Sequence, residues 1–156
     1  MYEKFGQFIN GEWCQSSDKS TYEVINPANE EVIGHASKAT PQDVERALKS
    51  AEKGLQIWKK TPPWQRSYII RRIADKIREK QDILAKWMTL EVGKPLTEAK
   101  GEVNGAADIF EWNAEETKRI YGQTVESRFE DTRVHVYYQP VGVVAALSPW
   151  NFPAVL

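Results

Sequence analysis

The sequence predicts an α/β protein, and three patterns carry that expectation. Extended apolar runs separated by turn residues occupy the N-terminal stretch. Four segments between Thr40 and Gly122 repeat apolar residues at helical spacing. A continuous apolar run at residues 141–147 (Val-Gly-Val-Val-Ala-Ala-Leu) then reads as a strand buried on both faces, as in a parallel sheet.

The first element is a hairpin. Phe8-Ile9-Asn10-Gly11-Glu12-Trp13 places Asn-Gly between apolar residues, and Asn-Gly tolerates the positive φ angles of a type I′ turn. Tyr22-Glu23-Val24-Ile25 is a second extended run. Asn26-Pro27-Ala28-Asn29 turns the chain, and Glu31-Val32-Ile33-Gly34 returns it.

Thr40-Pro41-Gln42-Asp43 begins the first helix: Thr40 caps, Pro41 suits the first helical position, and Asp43 faces the positive helix end. Val44, Ala47, Leu48, Ala51, Leu55 and Trp58 form its expected inward stripe, and Thr61-Pro62-Pro63 stops it. A second helix is expected from Trp64 to Lys80, with Ile69, Ile70, Ile73 and Ile77 inward. Asp82 is the expected cap of a third, with Leu84, Trp87 and Met88 inward, an αL cap at Gly93 and a stop at Pro95. The fourth runs from Leu96 to Tyr121, with Val103, Ala106, Ala107, Phe110 and Ala114 as its apolar stripe. Gly101 and Gly105 within it lower helix propensity and suggest a close neighbour.

The chain then returns to strand. Residues 133–139 alternate valines and Tyr138 with Arg133, His135 and Tyr137, the pattern of a half-exposed antiparallel strand. The buried strand at 141–147 needs parallel neighbours and crossover helices, and none follow before Leu156. It is therefore expected to be the first strand of an incomplete Rossmann-like sheet. Left alone, its exposed apolar faces are expected to make an isolated 1–156 chain only marginally soluble.

Composition narrows the function classes. The chain is 41% hydrophobic and 28% charged, typical of a globular protein and not of a disordered one. A net charge of −1 offers no basic excess for nucleic acid. Arg71, Arg72, Lys76 and Arg78 alternate with isoleucines at helical spacing, so they are the wet face of a helix. The single cysteine, Cys14, precludes an intrachain disulfide and fits a reducing compartment. Met1-Tyr2-Glu3-Lys4-Phe5 has no apolar signal region, and no run approaches a membrane span, so a cytoplasmic location is expected. His35 and His135 share no pattern, and no Cys/His cluster has zinc spacing.

Chemistry concentrates at Ser148-Pro149-Trp150-Asn151-Phe152-Pro153, just past the C-terminal end of the expected buried strand, the edge where open α/β sheets bind ligands. Two prolines stiffen the loop. An Asn amide held there can donate to a developing oxyanion without proton transfer, or it can satisfy backbone groups in a tight turn. Residues 140–153 as a whole resemble the first dinucleotide-domain strand and catalytic loop of the aldehyde dehydrogenase superfamily. Phe8-Ile9-Asn10-Gly11-Glu12-Trp13, Ile25-Asn26-Pro27, Glu91-Val92-Gly93-Lys94-Pro95 and Tyr121-Gly122-Gln123-Thr124 match the family in the same order. The wording of residues 86–102 and 111–122 is similar to the succinate-semialdehyde dehydrogenase branch.

This resemblance implies the N-terminal part of the aldehyde dehydrogenase fold. Residues 1–122 would be the strands and helices of the cofactor-binding domain, 123–140 part of an oligomerisation arm, and 141–156 the first buried strand and catalytic loop. It also implies NAD or NADP as cofactor, a small-molecule aldehyde as substrate, and a homo-oligomer, dimer or tetramer, in the full-length form. Asn151 would donate its amide to the oxyanion. Leu147, Ser148, Pro149 and Trp150 would line the cofactor near its nicotinamide. Phe152 would wall the substrate tunnel, with Glu102, Gly105 and Ile109 bordering it. In some relatives a monovalent cation would lie near the carbonyl matching Ile25 and the carboxylate matching Glu91; no other metal is implied.

The implied mechanism is attack of a cysteine thiolate on the aldehyde, hydride transfer to nicotinamide, and hydrolysis of the thioester by a glutamate-activated water. The family's Gly-Gln-x-Cys segment and its general-base glutamate are not found in residues 1–156. Cys14, at the end of a hairpin strand, is read as structural. Glu91, Glu98 and Glu102 are read as solvated helix carboxylates rather than bases. The 1–156 chain is therefore expected to be inactive by itself. The alternative is a non-catalytic assembly module using the strand at 133–139 as a pairing edge.

Overall fold

The computed structural model describes residues 6–156; the reading of Met1–Phe5 lies outside the described residues. The order of elements is β1 (Gln7–Ile9), β2 (Glu12–Cys14), β3 (Thr21–Ile25), β4 (Val32–Ser37), α1 (Pro41–Trp58), α2 (Pro63–Glu79), α3 (Gln81–Val92), α4 (Leu96–Glu116), β5 (Gln123–Glu126) and β6 (Arg133–Val136). This mixture of four helices and small sheets agrees with the expected α/β class.

The strands form three separate antiparallel hairpins. In β1–β2, Phe8 pairs with Trp13 across a turn whose Asn10 and Gly11 take φ of 56° and 84°, the twist that Asn-Gly supplies. β3–β4 pairs Thr21 with Ser37 through Val24 with Gly34, and its register shifts at Ile25. β5–β6 pairs Gln123 with Val136, and Thr124 meets His135 Nδ1 at 3.1 Å, so His135 is an exposed strand residue as expected. β5 had no clear strand pattern, and β6 stops at Val136 instead of reaching Gln139.

α1 starts on a reciprocal capping box between Thr40 and Asp43. The Asp43 carboxylate is buried and ties the hairpins to the helix. It accepts from the Thr40 N–H at 3.0 Å, the Ser17 N–H at 3.1 Å and Gln7 Nε2 at 3.4 Å, and it pairs with Arg46 at 3.2 Å. Backbone donation from Thr40, then from Ser17, holds its pKa well below the usual carboxylate range.

α2, α3 and α4 pack together, with α4 central. Their core is built from small residues: Ala74 of α2, Ala85 and Met88 of α3, and Ala99, Val103, Ala106, Ala107 and Ala114 of α4. Alanines let helix backbones approach closely, and charged side chains close the rim. Arg71 binds Glu111 at 2.6 Å and Glu115 at 2.5 Å, while Arg78 binds Asp108 at 2.7 Å and Glu111 at 2.6 Å. Lys118, then Arg71, lowers Glu115 to about 2.

Several expectations are corrected. On α1, Val44, Leu48 and Trp58 are exposed, because nothing among the described residues covers that face. On α2, Ile69 and Ile73 are exposed; the helix turns Ser67 and Ala74 inward, since its arginines must reach the α4 carboxylates. Asp82 does not cap α3 but sits inside its first turn and pairs with Lys100 at 2.7 Å. α4 ends at Glu116 and tightens into a 3₁₀ turn at Thr117–Arg119, short of Tyr121. Gly101 has no close neighbour, whereas Gly105 faces Val155. Residues 141–147 form neither strand nor helix. Val141 is 93% and Leu147 95% exposed, because an apolar run becomes a buried strand only beside other strands, and no described segment offers an edge to it.

Candidate functional site

The site is built where α3 turns into α4. Gly93 closes α3 in a left-handed conformation, φ 78°, with its N–H donating to the Thr89 carbonyl at 3.0 Å. Pro27, from the turn after β3, lies against Gly93. Pro95 then forces the next helix to begin, and Lys94 is caught between the two turn residues with its side chain only 10% exposed.

Residues 150–155 form successive turns over this junction. Lys94 Nζ donates to the Asn151 carbonyl at 2.9 Å, stands 4.2 Å from the centre of the Phe152 ring, and pairs with Glu102. The Ala154 N–H donates to Glu102 Oε1 at 2.9 Å. One turn further along α4, a Cβ placed on Gly105 would lie 3.5 Å from Cγ2 of Val155. Beneath the loop, Trp87, Met88, Val103, Ala106, Phe110, Pro153 and Ala154 help line an apolar cleft of about 360 Å³.

Asn151 is thus fixed through its backbone, while its side-chain amide is exposed and has no hydrogen-bond partner among the described residues. It does not cap a helix or satisfy the turn it belongs to. The arrangement can present a donor N–H₂ from a rigid support to an oxygen that gains charge.

The other expected site residues divide. Phe152, Glu102 and Gly105 are brought to Asn151. Glu102 is not a solvated carboxylate: its side chain is 3% exposed, and it faces the loop and Lys94 instead of open space. Ile109 lies on the same α4 face but is exposed. Leu147, Ser148, Pro149 and Trp150 lead into the loop on an open surface, with Trp150 81% exposed. Ile25 is exposed, and the turn that follows it reaches the end of α3. Among the described residues no three His, Cys, Asp or Glu side chains cluster to hold a metal ion. Cys14 is half-buried, its thiol pointing to the Gln7 carbonyl at 3.4 Å, away from this loop's partners. Lys94 was given no role by sequence reasoning. Its signals are its place between Gly93 and Pro95 and the family match of residues 91–95, and neither shows a contact with the loop.

Comparison with known proteins defines the class. The aldehyde dehydrogenase family model matches residues 13–156, and the chain belongs to the aldehyde dehydrogenase family. Within it, the chain is 47% identical over 149 residues to the glutarate-semialdehyde dehydrogenase of Pseudomonas putida, covering 96% of this chain and 31% of that protein. It is 44% identical over 148 residues to the succinate-semialdehyde dehydrogenase (NADP+) GabD of Escherichia coli, covering 95% and 31%. The crystal structure of succinate-semialdehyde dehydrogenase from Burkholderia pseudomallei superposes with a TM-score of 0.93 at 39% identity, over 97% of this chain and 31% of that one. These relatives bear out the semialdehyde dehydrogenase branch, and the chain spans about 31% of their length. No described helix is long and apolar enough to cross a membrane.

Proposed function

We propose that this chain is the N-terminal third of an NAD(P)-dependent semialdehyde dehydrogenase and supplies its oxyanion donor, Asn151. The observation that carries this reading is the pairing of a pinned backbone with a free amide at Asn151. In the reaction, a cysteine thiolate outside residues 1–156 adds to the aldehyde carbon and the carbonyl oxygen becomes an oxyanion, which the Asn151 amide stabilises. The cofactor, when bound, accepts the hydride. The open apolar surfaces of Leu147 and Trp150 beside the loop fit a flat nicotinamide ring, with Ser148 and Pro149 completing the approach. Phe152 walls the aldehyde's path, bordered by Gly105 and Ile109. Residues 1–122 and 141–156 belong on this reading to the cofactor-binding domain, and 123–140 to an arm that pairs subunits of a homo-oligomer. The similarity of the chain to two semialdehyde dehydrogenases, over 149 and 148 residues, supports the substrate class.

The test is Asn151→Ala in the full-length protein. The expected result is a fall in kcat for a dicarboxylic semialdehyde of roughly 10²- to 10³-fold with KM little changed. An unchanged kcat, or turnover by residues 1–156 alone, overturns the reading. A second reading, a non-catalytic assembly module, draws on the β5–β6 hairpin, every residue of whose strands is exposed. A chain that occurs in cells only at this length, and oligomerises, would favour it.

A further inference from the structure

We infer that Lys94 and Glu102 are positioning residues, a buried clamp that sets where the Asn151 amide points. The inference rests on the proposed role of Asn151 and assigns a role to two residues that would not themselves touch the substrate.

Four observations carry it. The pair is desolvated, with side chains 10% and 3% exposed, so it is not one of the surface bridges that contribute little. Every polar atom of the pair is used. Lys94 Nζ serves the Glu102 carboxylate and the Asn151 carbonyl at 2.9 Å, and Glu102 Oε1 accepts the Ala154 N–H at 2.9 Å. The two bonds grip the loop on either side of Phe152, whose ring covers the ammonium at 4.2 Å. Finally, the support is rigid: Lys94 is held between Gly93 and Pro95, and Glu102 projects from the buried face of α4.

The alternative is a pair that merely stabilises the fold. Removing one partner of a buried pair leaves an uncompensated charge, so single variants invite misfolding. Lys94→Met/Glu102→Gln avoids this, because it leaves no charge and keeps an acceptor for Ala154. It deletes the donor to the Asn151 carbonyl. A displacement of about 1 Å at a reacting group can cost about a hundredfold. For this variant in the full-length protein we expect kcat to fall roughly 10- to 100-fold while KM and cofactor affinity stay within about twofold. Lys94→Arg should recover part of the loss. Lys100→Met, which breaks the exposed pair with Asp82 between α4 and α3, should leave kcat unchanged.

The decisive comparison adds Asn151→Ala. If the clamp acts through Asn151, the triple variant has the kcat of Asn151→Ala alone. Multiplied losses, or no loss in the double variant, overturn the inference. Hydrogen exchange of the peptide spanning residues 150–156 reads the clamp without activity: exchange should be roughly tenfold faster in the double variant. Equal exchange overturns the clamp whatever the kinetics. A clamp that passes the exchange test beside an Asn151→Ala enzyme of full activity overturns the oxyanion reading, and with it the positioning role.

Discussion

Gly93→Ala isolates the demand made by one turn. Gly93 has φ 78°, and a Cβ placed on it would lie 2.9 Å from Cγ of Pro27. Two costs follow. A left-handed conformation costs an L-residue about 1–2 kcal/mol. Crowding a proline ring, which cannot swing aside like a flexible chain, costs about 1 kcal/mol more. The sum of about 2–3 kcal/mol corresponds, for a chain of this size, to a Tm lowered by roughly 4–12 °C. The two parts are separable. Gly93→Asn tolerates the backbone angle but keeps the Cβ, so it should lose mainly the crowding part. Pro27→Ala removes Cγ, so Gly93→Ala should cost less in that background than in the wild type. Thermal and urea unfolding followed by far-UV circular dichroism measure these three single variants and the double variant beside wild type. A Gly93→Ala Tm within 1 °C of wild type would refute the reasoning, and equal losses with and without the Pro27 ring would refute the contact.

Val103, 2% exposed between Ala99 and Met88, should report the centre of the helical core: Val103→Ala is expected to lower urea stability by about 2–3 kcal/mol with an unchanged m-value. A loss below 1 kcal/mol would mean that α3 and α4 close the gap. Asp43 and Glu115 should shape the acid limb. Their carboxyls titrate lower in the folded chain than in the unfolded one, so they contribute stability that is complete above about pH 5 and lost as pH falls toward 2 and below. Urea midpoints measured from pH 5 to 2 should fall steeply for wild type and less steeply for Asp43→Asn/Glu115→Gln; parallel curves would contradict the assignment.

Local signals in the sequence suffice where the cause is local. The Asn10-Gly11 turn, the Thr40–Asp43 cap and the Gly93 stop each depend on a few neighbouring residues, and each forms as expected. Periodicity located the helices but not always their inner faces. Ile69 and Ile73 looked inward because they are apolar, yet Arg71 and Arg78 must face α4 to meet Glu111 and its neighbours, and one helix cannot turn both faces to it. The strand at 141–147 failed for a different reason: its composition suits a sheet interior, and a sheet interior is made by other strands. At the candidate site, the motif singles out the Ser148–Pro153 loop with Asn151 in it. The support of that loop is not visible there, because Lys94 and Glu102 reach it through contacts across 57 and 52 positions of chain, and no pattern in a single sequence shows such a distance closed.

Pro27 lies against Gly93, the next residue is Lys94, and Lys94 carries the Asn151 carbonyl. The β3–β4 turn therefore works as the footing of a short mechanical linkage, with Gly93 as its pivot and Lys94 as its arm. On the role proposed for Asn151, a substitution in that footing would be felt as a misaimed amide, so variation in an outlying surface turn would be a route by which turnover drifts while the residues around the substrate stay the same.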